Sequence, residues 1–438
     1  MVDKRLSVFI AGKKAGSVVQ ARDGSLSFAY DVRYAGIPLS LSMPPSNRTF
    51  GDKIVRPYLM GLLPDSPDVR RSLGREFGVS GENPFALLQH VGLDCPGAVQ
   101  ICSESREEDI LLGSGALTPL SDADIASRLA AAHASSGEKW EAERERWSLG
   151  GQQTKFALRL EGDRWYSCEG RAATTHILKP GIPGLRLEAL NELVCLKLAA
   201  ACGIPAARAD YRLFEDEPAI VVERYDRVRD SAGEVVRLHQ EDLCQALSVL
   251  PQNKYAQDGG PSANDVVGLL KKTGAPARDN LHAFMRMLLF NYIIAAPDAH
   301  AKNYSLLIDR DAAYLAPLYD VASMLPYTSR PEKIKLAMSV AGENRVAMLS
   351  ARRLAAFAEA NGLEEYGLGG DALASILAGL AELIPYKLED VVDSLSGAPN
   401  IDELGDRLIP SVGILCARSI KCLWNGFSLR RSQALRGE

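Results

Sequence analysis

The sequence is poor in the residues that build metal centres and disulfide frameworks. Its 438 residues include only six histidines and eight cysteines, and no two cysteines form a C-x2-C pair. The histidines are scattered singly, whereas Cys195 and Cys202 lie two helical turns apart among apolar neighbours, a spacing typical of core packing. We therefore expect packed, reduced cysteines and a cytoplasmic protein.

Long apolar runs and an excess of positive charge are also missing. The most apolar stretch, residues 284–296, contains Arg286 and Asn291 and is too short to cross a bilayer, so we interpret it as a buried helix. The N-terminus mixes acidic and basic residues before a short apolar run, unlike a signal peptide. A net charge of −5 argues against bulk electrostatic binding to nucleic acid, although a local basic patch is compatible with it. We predict no membrane association.

The first third of the chain predicts a small mixed subdomain and a connection. Residues 1–103 carry short strand patterns followed by helical ones, with Asp65 or Ser66 placed to cap a helix that Pro67 begins. Residues 104–146 contain a polar stretch and one capped helix. They end in a charge run that reaches Trp147, a pattern typical of a solvated linker or helix face.

The remainder predicts two lobes of different character. Residues 147–225 alternate as short antiparallel strands around one helix that ends before Gly203 and Pro205. Residues 226–438 are mostly helical, apart from a hairpin pattern at 304–318. A β-rich lobe before a helical lobe is the order of a protein-kinase fold.

A D-x4-N motif and a later aspartate are the strongest signs of chemistry. Asp298 and Asn303 are five positions apart, and Asp320 follows the predicted hairpin. A kinase catalytic loop places a hydroxyl-accepting Asp and a Mg²⁺-binding Asn at this offset, with a second Mg²⁺-binding Asp after a hairpin. The hairpin would bring Asp320 back beside Asn303, so that one base and two Mg²⁺ ligands converge. An isolated D-x4-N also occurs by chance in many proteins.

A glycine turn precedes the first strand of the β-rich lobe. Gly150 and Gly151 would let backbone N–H groups approach phosphate oxygens, and Lys155 would add positive charge. The segment is not a Walker A loop, because Thr154 stands where the glycine before the lysine should be. An ordinary hairpin turn is the alternative interpretation.

Two charged residues follow where a nucleotide phosphate would need them. Lys179 ends an apolar strand, where a lysine is poorly placed without an anionic partner such as a phosphate. Glu192 on the following helix is a candidate ion-pair partner. The alternative is that Lys179 lies at an exposed strand end.

The segment Glu223–Asp226 lies where an inter-lobe connection would run. Backbone groups of Glu223 and Tyr225 could bind an adenine edge, and Asp226 could bind a ribose hydroxyl. The alternative is a strand end with a surface salt bridge from Asp226 to Arg224 or Arg227.

The residues around the D-x4-N motif have both functional and structural interpretations. His300 could orient the catalytic loop or meet a phosphate, and Lys302 could offset phosphoryl charge. A structural hydrogen bond or simple exposure is the alternative for each. The order of all these features along the chain nevertheless predicts phosphoryl transfer, which needs positioning, Mg²⁺ and charge neutralisation.

These motifs together resemble the HipA family of bacterial serine/threonine kinases, the toxins of HipA–HipB toxin–antitoxin systems. The resemblance covers nearly the whole chain. It rests on the following segments: Leu62–Pro67, Asn83–Leu88, Gly97–Val99, Ser148–Lys155, Thr174–Lys179, Val222–Arg227, Gln240–Gln245, Lys254–Tyr255, Asp258–Pro261, Asp298–Asn303, Leu318–Asp320 and Lys335–Met338.

The resemblance implies a fold and an ATP site. The fold would be α+β, a two-lobed protein-kinase-like fold with an extra N-terminal mixed subdomain. Asp298 would be the catalytic base, Asn303 and Asp320 would hold Mg²⁺, and Ser148 would be autophosphorylated to switch the kinase off. The implied ATP-binding residues are Gly150, Gly151, Gln152, Gln153, Thr154, Lys155, Lys179, Glu223, Arg224, Tyr225, Asp226, His300, Ala301, Lys302, Asn303, Tyr319 and Asp320.

The resemblance also implies partners. The substrate would be an aminoacyl-tRNA synthetase of the glutamyl-tRNA synthetase type, and the antitoxin a HipB-like helix-turn-helix dimer that binds operator DNA. This chain departs from the common family pattern at Pro297 and Ala299 in the catalytic loop and at Gln153 and Thr154 in the phosphate loop, but none of these positions carries a named catalytic group. A small-molecule kinase of the aminoglycoside or lipid type and a non-catalytic corepressor remain the alternatives.

Overall fold

The computed structural model of the chain describes residues 3–112, 115–134 and 148–434. The charge run predicted to be a solvated linker or helix face, from Glu138 to Trp147, lies outside these residues. The chain divides into two compact units. Unit 1 comprises Met1–Gly184, Asp210–Lys254 and Ser305–Ala313, and unit 2 comprises Leu185–Ala209, Tyr255–Tyr304 and Tyr314–Glu438.

The described strands are numbered β1 to β17 in chain order. They are Lys4–Ile10 (β1), Lys13–Gln20 (β2), Leu26–Tyr30 (β3), Val99–Cys102 (β4), Gly115–Leu120 (β5), Phe156–Glu161 (β6), Arg164–Gly170 (β7), His176–Lys179 (β8), Ala209–Phe214 (β9), Glu217–Glu223 (β10), Arg227–Arg229 (β11), Val235–Arg237 (β12), Gln240–Asp242 (β13), Ser305–Ile308 (β14), Ala313–Leu315 (β15), Lys335–Val340 (β16) and Glu343–Arg345 (β17).

The described α-helices are numbered in the same way. They are Asp52–Gly61 (α1), Pro67–Phe77 (α2), Pro84–Val91 (α3), Glu107–Leu111 (α4), Asp122–Ala134 (α5), Glu188–Ala201 (α6), Leu243–Ala246 (α7), Ala263–Leu270 (α8), Ala277–Ile294 (α9), Ala351–Ala360 (α10), Gly370–Ser394 (α11) and Ile401–Ala434 (α12).

The N-terminal part of unit 1 is a four-stranded antiparallel sheet in the order β3-β2-β1-β4, with helices packed on it. Apolar residues of the strands, among them Val8, Ile10 and Val18, form one core with Tyr58 and Leu59 of α1. Alternation of side chains across the strands places these residues on one face of the sheet, which α1 covers.

Helix α2 begins at the position that its capping residues predict. Ser66 Oγ accepts a hydrogen bond from the Val69 amide, Pro67 occupies the first turn, and Gly78 ends the helix in the left-handed region. Since Ser66 is the cap, the carboxylate of the neighbouring Asp65 can contact Lys254 and the Gly151 amide instead of the helix N-terminus.

The second sheet of unit 1 has the strand order β5-β7-β6-β8-β10-β9. Its core contains Phe156, Leu178 and Val221 from the strands, packed against Ile125 and Leu129 of α5. The short antiparallel strands predicted within residues 147–225 are present, with β6 paired to β7 and β9 next to β10.

Strand β5 is an element that sequence patterns did not predict. It is an edge strand whose residues are mostly exposed, and it contains Pro119. An exposed edge strand lacks the apolar alternation that marks a half-buried strand, and proline is compatible with sheets mainly at such edges. The order β5-β7 is therefore fixed by backbone pairing that the sequence pattern does not reveal.

Unit 2 is mainly helical and is centred on α9. The apolar stretch predicted to be a buried helix lies within and just after α9, and its members Phe284, Leu288 and Phe290 are fully buried. Helices α11 and α12 pack against α9 and against each other, and α6 packs against α11 and α12. No helix in the described part of the chain is long and apolar enough to cross a membrane.

A buried ion cluster joins the N-terminal part of unit 1 to the second sheet. The Asp94 carboxylate contacts Arg224 at 3.5 Å, Arg227 at 3.0 Å and Arg237 at 2.9 Å. Arg224 and Arg227 also contact Asp226, each at 2.9 Å. Every side chain in this cluster is at most 9% exposed, so the charges depend on one another for compensation.

We predict that Asp94→Asn strongly destabilises the fold. Removing one partner leaves buried guanidinium groups uncompensated, which typically costs about 3–5 kcal/mol in free energy of unfolding. Urea unfolding at neutral pH measures this loss. Asp109→Asn is the control, because it removes a half-exposed partner of Arg106 and should cost about 1 kcal/mol or less.

The destabilisation should depend on pH. Burial would raise the pKa of Asp94, but Arg227, Arg237 and Arg224 outweigh burial and hold that pKa well below its usual range. A carboxyl group whose pKa is depressed by folding stabilises the protein above its unfolded pKa, near 4, and loses this contribution as the pH falls. The difference between wild type and Asp94→Asn should therefore shrink below about pH 4, and a constant difference would contradict the assignment.

Candidate active site

The D-x4-N motif lies in a tight loop of unit 2 that follows α9. The helix ends at Ala295, whose backbone is left-handed with φ 53°. The His300 amide donates to the Asp298 carbonyl at 2.8 Å, and the Asn303 amide donates to the His300 carbonyl at 2.9 Å. These bonds fold the loop so that the two ends of the motif face one another.

Asn303 and Asp320 come together as the hairpin predicts. Asn303 Nδ2 donates to the Asp298 carbonyl at 2.8 Å and to the Asp320 carbonyl at 3.4 Å. Since the amide nitrogen is bound to backbone, Oδ1 is the atom of Asn303 that can accept or coordinate. Asp298, Asn303 and Asp320 line one cavity of about 250 Å³, together with Asn291 and Tyr319.

The segment that carries Asp320 is anchored on both sides. Before it, Leu318 pairs with the chain at residues 205–207 through two 2.8 Å backbone bonds. After it, Asn191 on α6 donates to the Ser323 carbonyl at 2.7 Å. Asp320 itself has φ 55°, a left-handed conformation that costs a non-glycine residue free energy and that clusters at functional sites.

The oxygen donors of this cavity fit a magnesium ion. Mg²⁺ is usually held by one or two carboxylates together with substrate phosphates and water, and an amide oxygen is a compatible ligand. Asp320 and Asn303 supply a carboxylate and an amide oxygen to the same cavity. No group of three or more His, Cys, Asp or Glu side chains with metal-binding geometry occurs among the described residues, and this site would not require one.

Asp298 is the exposed member of the loop, and two aromatic side chains flank it. Its side chain is 60% exposed, and its Oδ1 accepts a 2.6 Å hydrogen bond from the Tyr255 hydroxyl. His300 Nε2 lies 3.7 Å from the same oxygen. Lys254–Tyr255 is one of the segments that carry the family resemblance, but no local pattern predicts the contact of Tyr255 with Asp298, 43 residues away.

The other residues predicted around the loop are buried. His300 is 2% exposed, Ala301 is fully buried, and Lys302 is 6% exposed. The Tyr319 hydroxyl donates to the Lys302 carbonyl at 2.7 Å, so Tyr319 supports the loop from the Asp320 side. The structure therefore gives these residues packing contacts, and direct contacts of their side chains with ATP stay predictions.

The predicted phosphate loop belongs to unit 1 and is held by the segment before α2. The Asp65 amide donates to the Gly151 carbonyl at 2.9 Å, and the Gly151 amide lies 3.4 Å from Asp65 Oδ1. Lys254 binds the other carboxylate oxygen of Asp65 at 3.0 Å, and both side chains are 8% exposed. Asp65 and Lys254 thus hold the predicted phosphate loop in position. Sequence patterns did not predict this pair, because the two residues are 189 positions apart.

The loop needs glycine at its centre. Gly151 has φ 109°, a backbone conformation in which any side chain would be strained. The loop lines a cavity of about 560 Å³ in unit 1, to which Gln152, Gln153 and Thr154 also contribute.

Ser148, the predicted phosphorylation site, is almost fully buried at 1% exposure. Its hydroxyl donates to the Leu62 carbonyl, and its amide donates to the Asp94 carbonyl at 3.0 Å. A phosphate on this hydroxyl would bring about −1.5 to −2 charges into a space that a backbone carbonyl already fills. The loop conformation described here is therefore that of unmodified Ser148.

Lys179 and Glu192 are both buried, which removes the exposed-strand-end alternative for the lysine. Lys179 ends β8, a strand between β6 and β10, and is 4% exposed. Glu192 lies on α6 in unit 2 and is 1% exposed. Their pairing stays a prediction, as does the contact of Lys179 with phosphate.

The segment from Glu223 to Asp226 ends β10 and enters the buried ion cluster. Asp226 is not the surface salt-bridge residue of the alternative interpretation, since its carboxylate is 4% exposed. It binds Arg224, Arg227 and the Gly97 amide, the last at 2.6 Å. This gives Asp226 and Arg224 a structural role, and the ribose contact stays a prediction that their burial does not favour. Glu223 and Tyr225 are only partly buried.

Most of the chain matches models of one protein family. A family model described as the HipA-like C-terminal domain matches residues 147–385, and one described as the HipA N-terminal domain matches residues 6–102. The protein Y4mE of Sinorhizobium fredii is 35% identical over 93% of this chain and 97% of its own length. The serine/threonine-protein kinase toxin HipA of Shewanella oneidensis is 30% identical over 86% of each chain.

A solved structure agrees with these matches. HipA of Shewanella oneidensis, in a complex with HipB and operator DNA, aligns with a TM-score of 0.80 and 26% identity, over 95% of this chain and 97% of that one. This chain therefore belongs to the HipA family. The predicted family, the α+β kinase-like fold class and the predicted enzyme class of serine/threonine kinase are confirmed.

We predict that Asp65→Ala loosens the phosphate loop. The change removes the carboxylate that receives Lys254 and faces the Gly151 amide, so local opening should become easier. Loss of a buried charged hydrogen bond corresponds to about a tenfold or larger increase in amide hydrogen exchange at Gly151. Asp68→Ala is the control, because Asp68 is exposed and its ion pair is with the exposed Arg71. Equal exchange in the two variants would contradict the prediction.

Proposed function

We propose that this HipA-family protein transfers the γ-phosphoryl group of ATP to a serine or threonine hydroxyl of a protein, with Asp298 as the base. The observation that carries the proposal is the convergence of Asp298, Asn303 and Asp320 on one cavity, with the Asn303 amide nitrogen bound to two backbone carbonyls. Nothing in DNA binding alone requires this set.

The residues of unit 2 have distinct roles in the transfer. The acceptor oxygen forms a bond to the γ-phosphorus, the bond from that phosphorus to the bridging oxygen breaks, and ADP leaves with the electron pair. Asp298 accepts the proton of the acceptor hydroxyl. Asn303 Oδ1 and Asp320 would hold Mg²⁺, which when bound neutralises charge on the transferring group.

The residues of unit 1 would bind ATP. Backbone amides of residues 150–155 and the charge of Lys155 suit the phosphates, and the loop is held in place by Asp65. Lys179, which is buried at the end of β8, would contact the phosphates of ATP. The partly buried Glu223 and Tyr225 supply the backbone groups for adenine.

Ser148 would be the site of an inhibitory self-modification. Its hydroxyl is bound to the Leu62 carbonyl, so the loop must leave this position before the hydroxyl can be phosphorylated. Once phosphorylated, Ser148 cannot return, because its added charge and bulk have no room beside that carbonyl. The modification would therefore keep the loop away from the conformation that cradles ATP.

The kinase would act as a growth-inhibiting toxin in the cytoplasm. Its substrate would be an aminoacyl-tRNA synthetase of the glutamyl-tRNA synthetase type. A HipB-like helix-turn-helix dimer would neutralise it on operator DNA, the assembly seen for HipA of Shewanella oneidensis. A mobility-shift assay with operator DNA, the HipB-like protein and this chain tests that assembly, and the assignment fails if the chain leaves the shift unchanged.

We predict that Asp298→Ala abolishes phosphoryl transfer while the fold is kept. General-base catalysis and acceptor positioning are both lost, which corresponds to a rate decrease of at least about 10²–10⁴-fold. The measurement uses labelled ATP with cell extract, followed by mass spectrometry of the labelled protein. Asp311→Ala, at an exposed turn, is the control and should behave as wild type.

The same assay separates the alternatives. Label on a synthetase supports the proposal, whereas label only on small molecules identifies a small-molecule kinase. Absence of label with wild-type protein whose Ser148 is unmodified would contradict the proposed transfer and favour a corepressor. Full activity of Asp298→Ala would show that Asp298 is not the base.

We predict that wild-type protein incubated with ATP acquires a phosphate on Ser148 and that Asp298→Ala does not. Ser148→Asp should weaken ATP binding about tenfold or more, because it places charge in the buried position under the loop. Peptide mass spectrometry and equilibrium ATP binding measure the two effects. Ser105→Asp is the control at an exposed serine, and equal affinities for the two variants would exclude the proposed regulation.

A further inference from the structure

We propose that Tyr255 is a positioning residue that fixes the carboxylate of Asp298 for the acceptor hydroxyl. The proposal rests on the proposed function, since it concerns how the base is held. Its starting observation is the 2.6 Å hydrogen bond from the Tyr255 hydroxyl to Asp298 Oδ1. A phenol that donates to a carboxylate forms a charge-assisted bond, which is stronger than a bond between neutral groups.

Asp298 needs such a partner because little else holds its side chain. It lies in the loop between α9 and the short helix Ala301–Asn303, and its side chain is 60% exposed. Among the described residues, Tyr255 is the one side chain that donates a hydrogen bond to this carboxylate. An exposed aspartate without this bond would sample several rotamers, and only some of them would point the base at an acceptor.

Tyr255 is itself fixed at both ends, so its hydroxyl occupies a defined position. At the backbone end, the Tyr255 carbonyl accepts hydrogen bonds from the amides of Asp258 and Gly260, each at 3.0 Å. At the ring end, Tyr255 packs edge-on against His300, with ring centroids 4.9 Å apart and an interplanar angle of 79°. A rigid ring held in this way carries its hydroxyl to Asp298 at little entropic cost.

The geometry divides the two carboxylate oxygens between two tasks. Oδ1 receives Tyr255 and lies 3.7 Å from His300 Nε2. In the described part of the chain, no hydrogen-bond donor reaches Oδ2, which leaves that oxygen to meet the hydroxyl of the acceptor. Tyr255 thus holds Oδ1 of Asp298 in place while Oδ2 accepts the proton of the acceptor hydroxyl. Tyr255 itself does not take part in the transfer.

This role differs from that of a residue that blocks the base. If Tyr255 occupied the oxygen that the acceptor needs, removal of its hydroxyl would raise the rate of transfer. If Tyr255 positions the base, the same change lowers the rate at saturating ATP. The sign of the effect therefore distinguishes the two.

The test compares the initial rates at which wild type and Tyr255→Phe transfer label from ATP to the total protein of a cell extract. Phenylalanine keeps the ring that packs on His300 and removes only the donor. We expect kcat to fall about tenfold and KM for ATP to stay within about twofold, since the acceptor loses orientation while the nucleotide site is unchanged. Tyr386→Phe, on exposed α11 surface, is the matched control and should equal wild type.

Two further variants separate positioning from a general structural effect. In an Asp298→Asn background, Tyr255→Phe should cause no additional loss, because residues that act as a unit are not additive. 4-Aminophenylalanine at position 255 restores a donor on the same ring and should recover most of the rate. The thermal unfolding midpoint of Tyr255→Phe should match that of wild type.

The outcomes are distinct. A kcat for Tyr255→Phe within about twofold of wild type, an increased kcat, or an equal loss in both backgrounds overturns the role of Tyr255. Wild-type activity of Asp298→Asn would instead overturn the proposed base, whatever Tyr255 does. A tenfold loss that the amino analogue repairs, and that vanishes in the Asp298→Asn background, supports the proposal.

Discussion

The compensation of Asp94 is the interaction on which unit 1 depends. Its carboxylate receives three arginines and also Thr174, whose hydroxyl donates at 2.7 Å just before β8. Its backbone carbonyl receives the amide of Ser148 at the start of the phosphate loop. One aspartate therefore ties together the N-terminal sheet, the strand that carries Lys179, and the loop expected to cradle ATP. Buried charge thus joins the N-terminal sheet to the predicted phosphate loop within unit 1.

In unit 2, backbone carbonyl groups hold the side chain of Asn303 in position. The amide of Asn303 is oriented by two carbonyl groups, and Asp320 is kept in a left-handed conformation by anchors on either side. If Asn303 Oδ1 coordinates a cation as proposed, an oxygen held in this way would need no large rearrangement, which is the general advantage of a preorganised site. The cost is local strain at Asp320, which the bonds of Leu318 and Asn191 offset.

Local patterns in the sequence predicted most of the elements and singled out the D-x4-N motif, but they did not predict the long-range partners. The hairpin after Asn303 and the cap at Ser66 depend on residues only a few positions apart, so local sequence patterns predict both. Asp65 with Lys254 and Tyr255 with Asp298 lie 189 and 43 residues apart, and no periodicity links them. Asp226 illustrates the converse, because its position at a strand end suggested a ligand contact while burial commits its carboxylate to arginines. Strand β5 was missed because an exposed edge carries no apolar alternation.

The burial of Ser148 would delay its proposed self-modification. A hydroxyl that is 1% exposed can be modified only during the brief intervals in which its loop opens. The rate of the proposed modification would then be the product of the fraction of open loop and the rate of the chemical step, so a small open fraction would delay inactivation. A change of temperature would alter the open fraction of the loop, and a molecule that binds the closed loop would reduce it. Either would change the delay without any change to the residues proposed for catalysis.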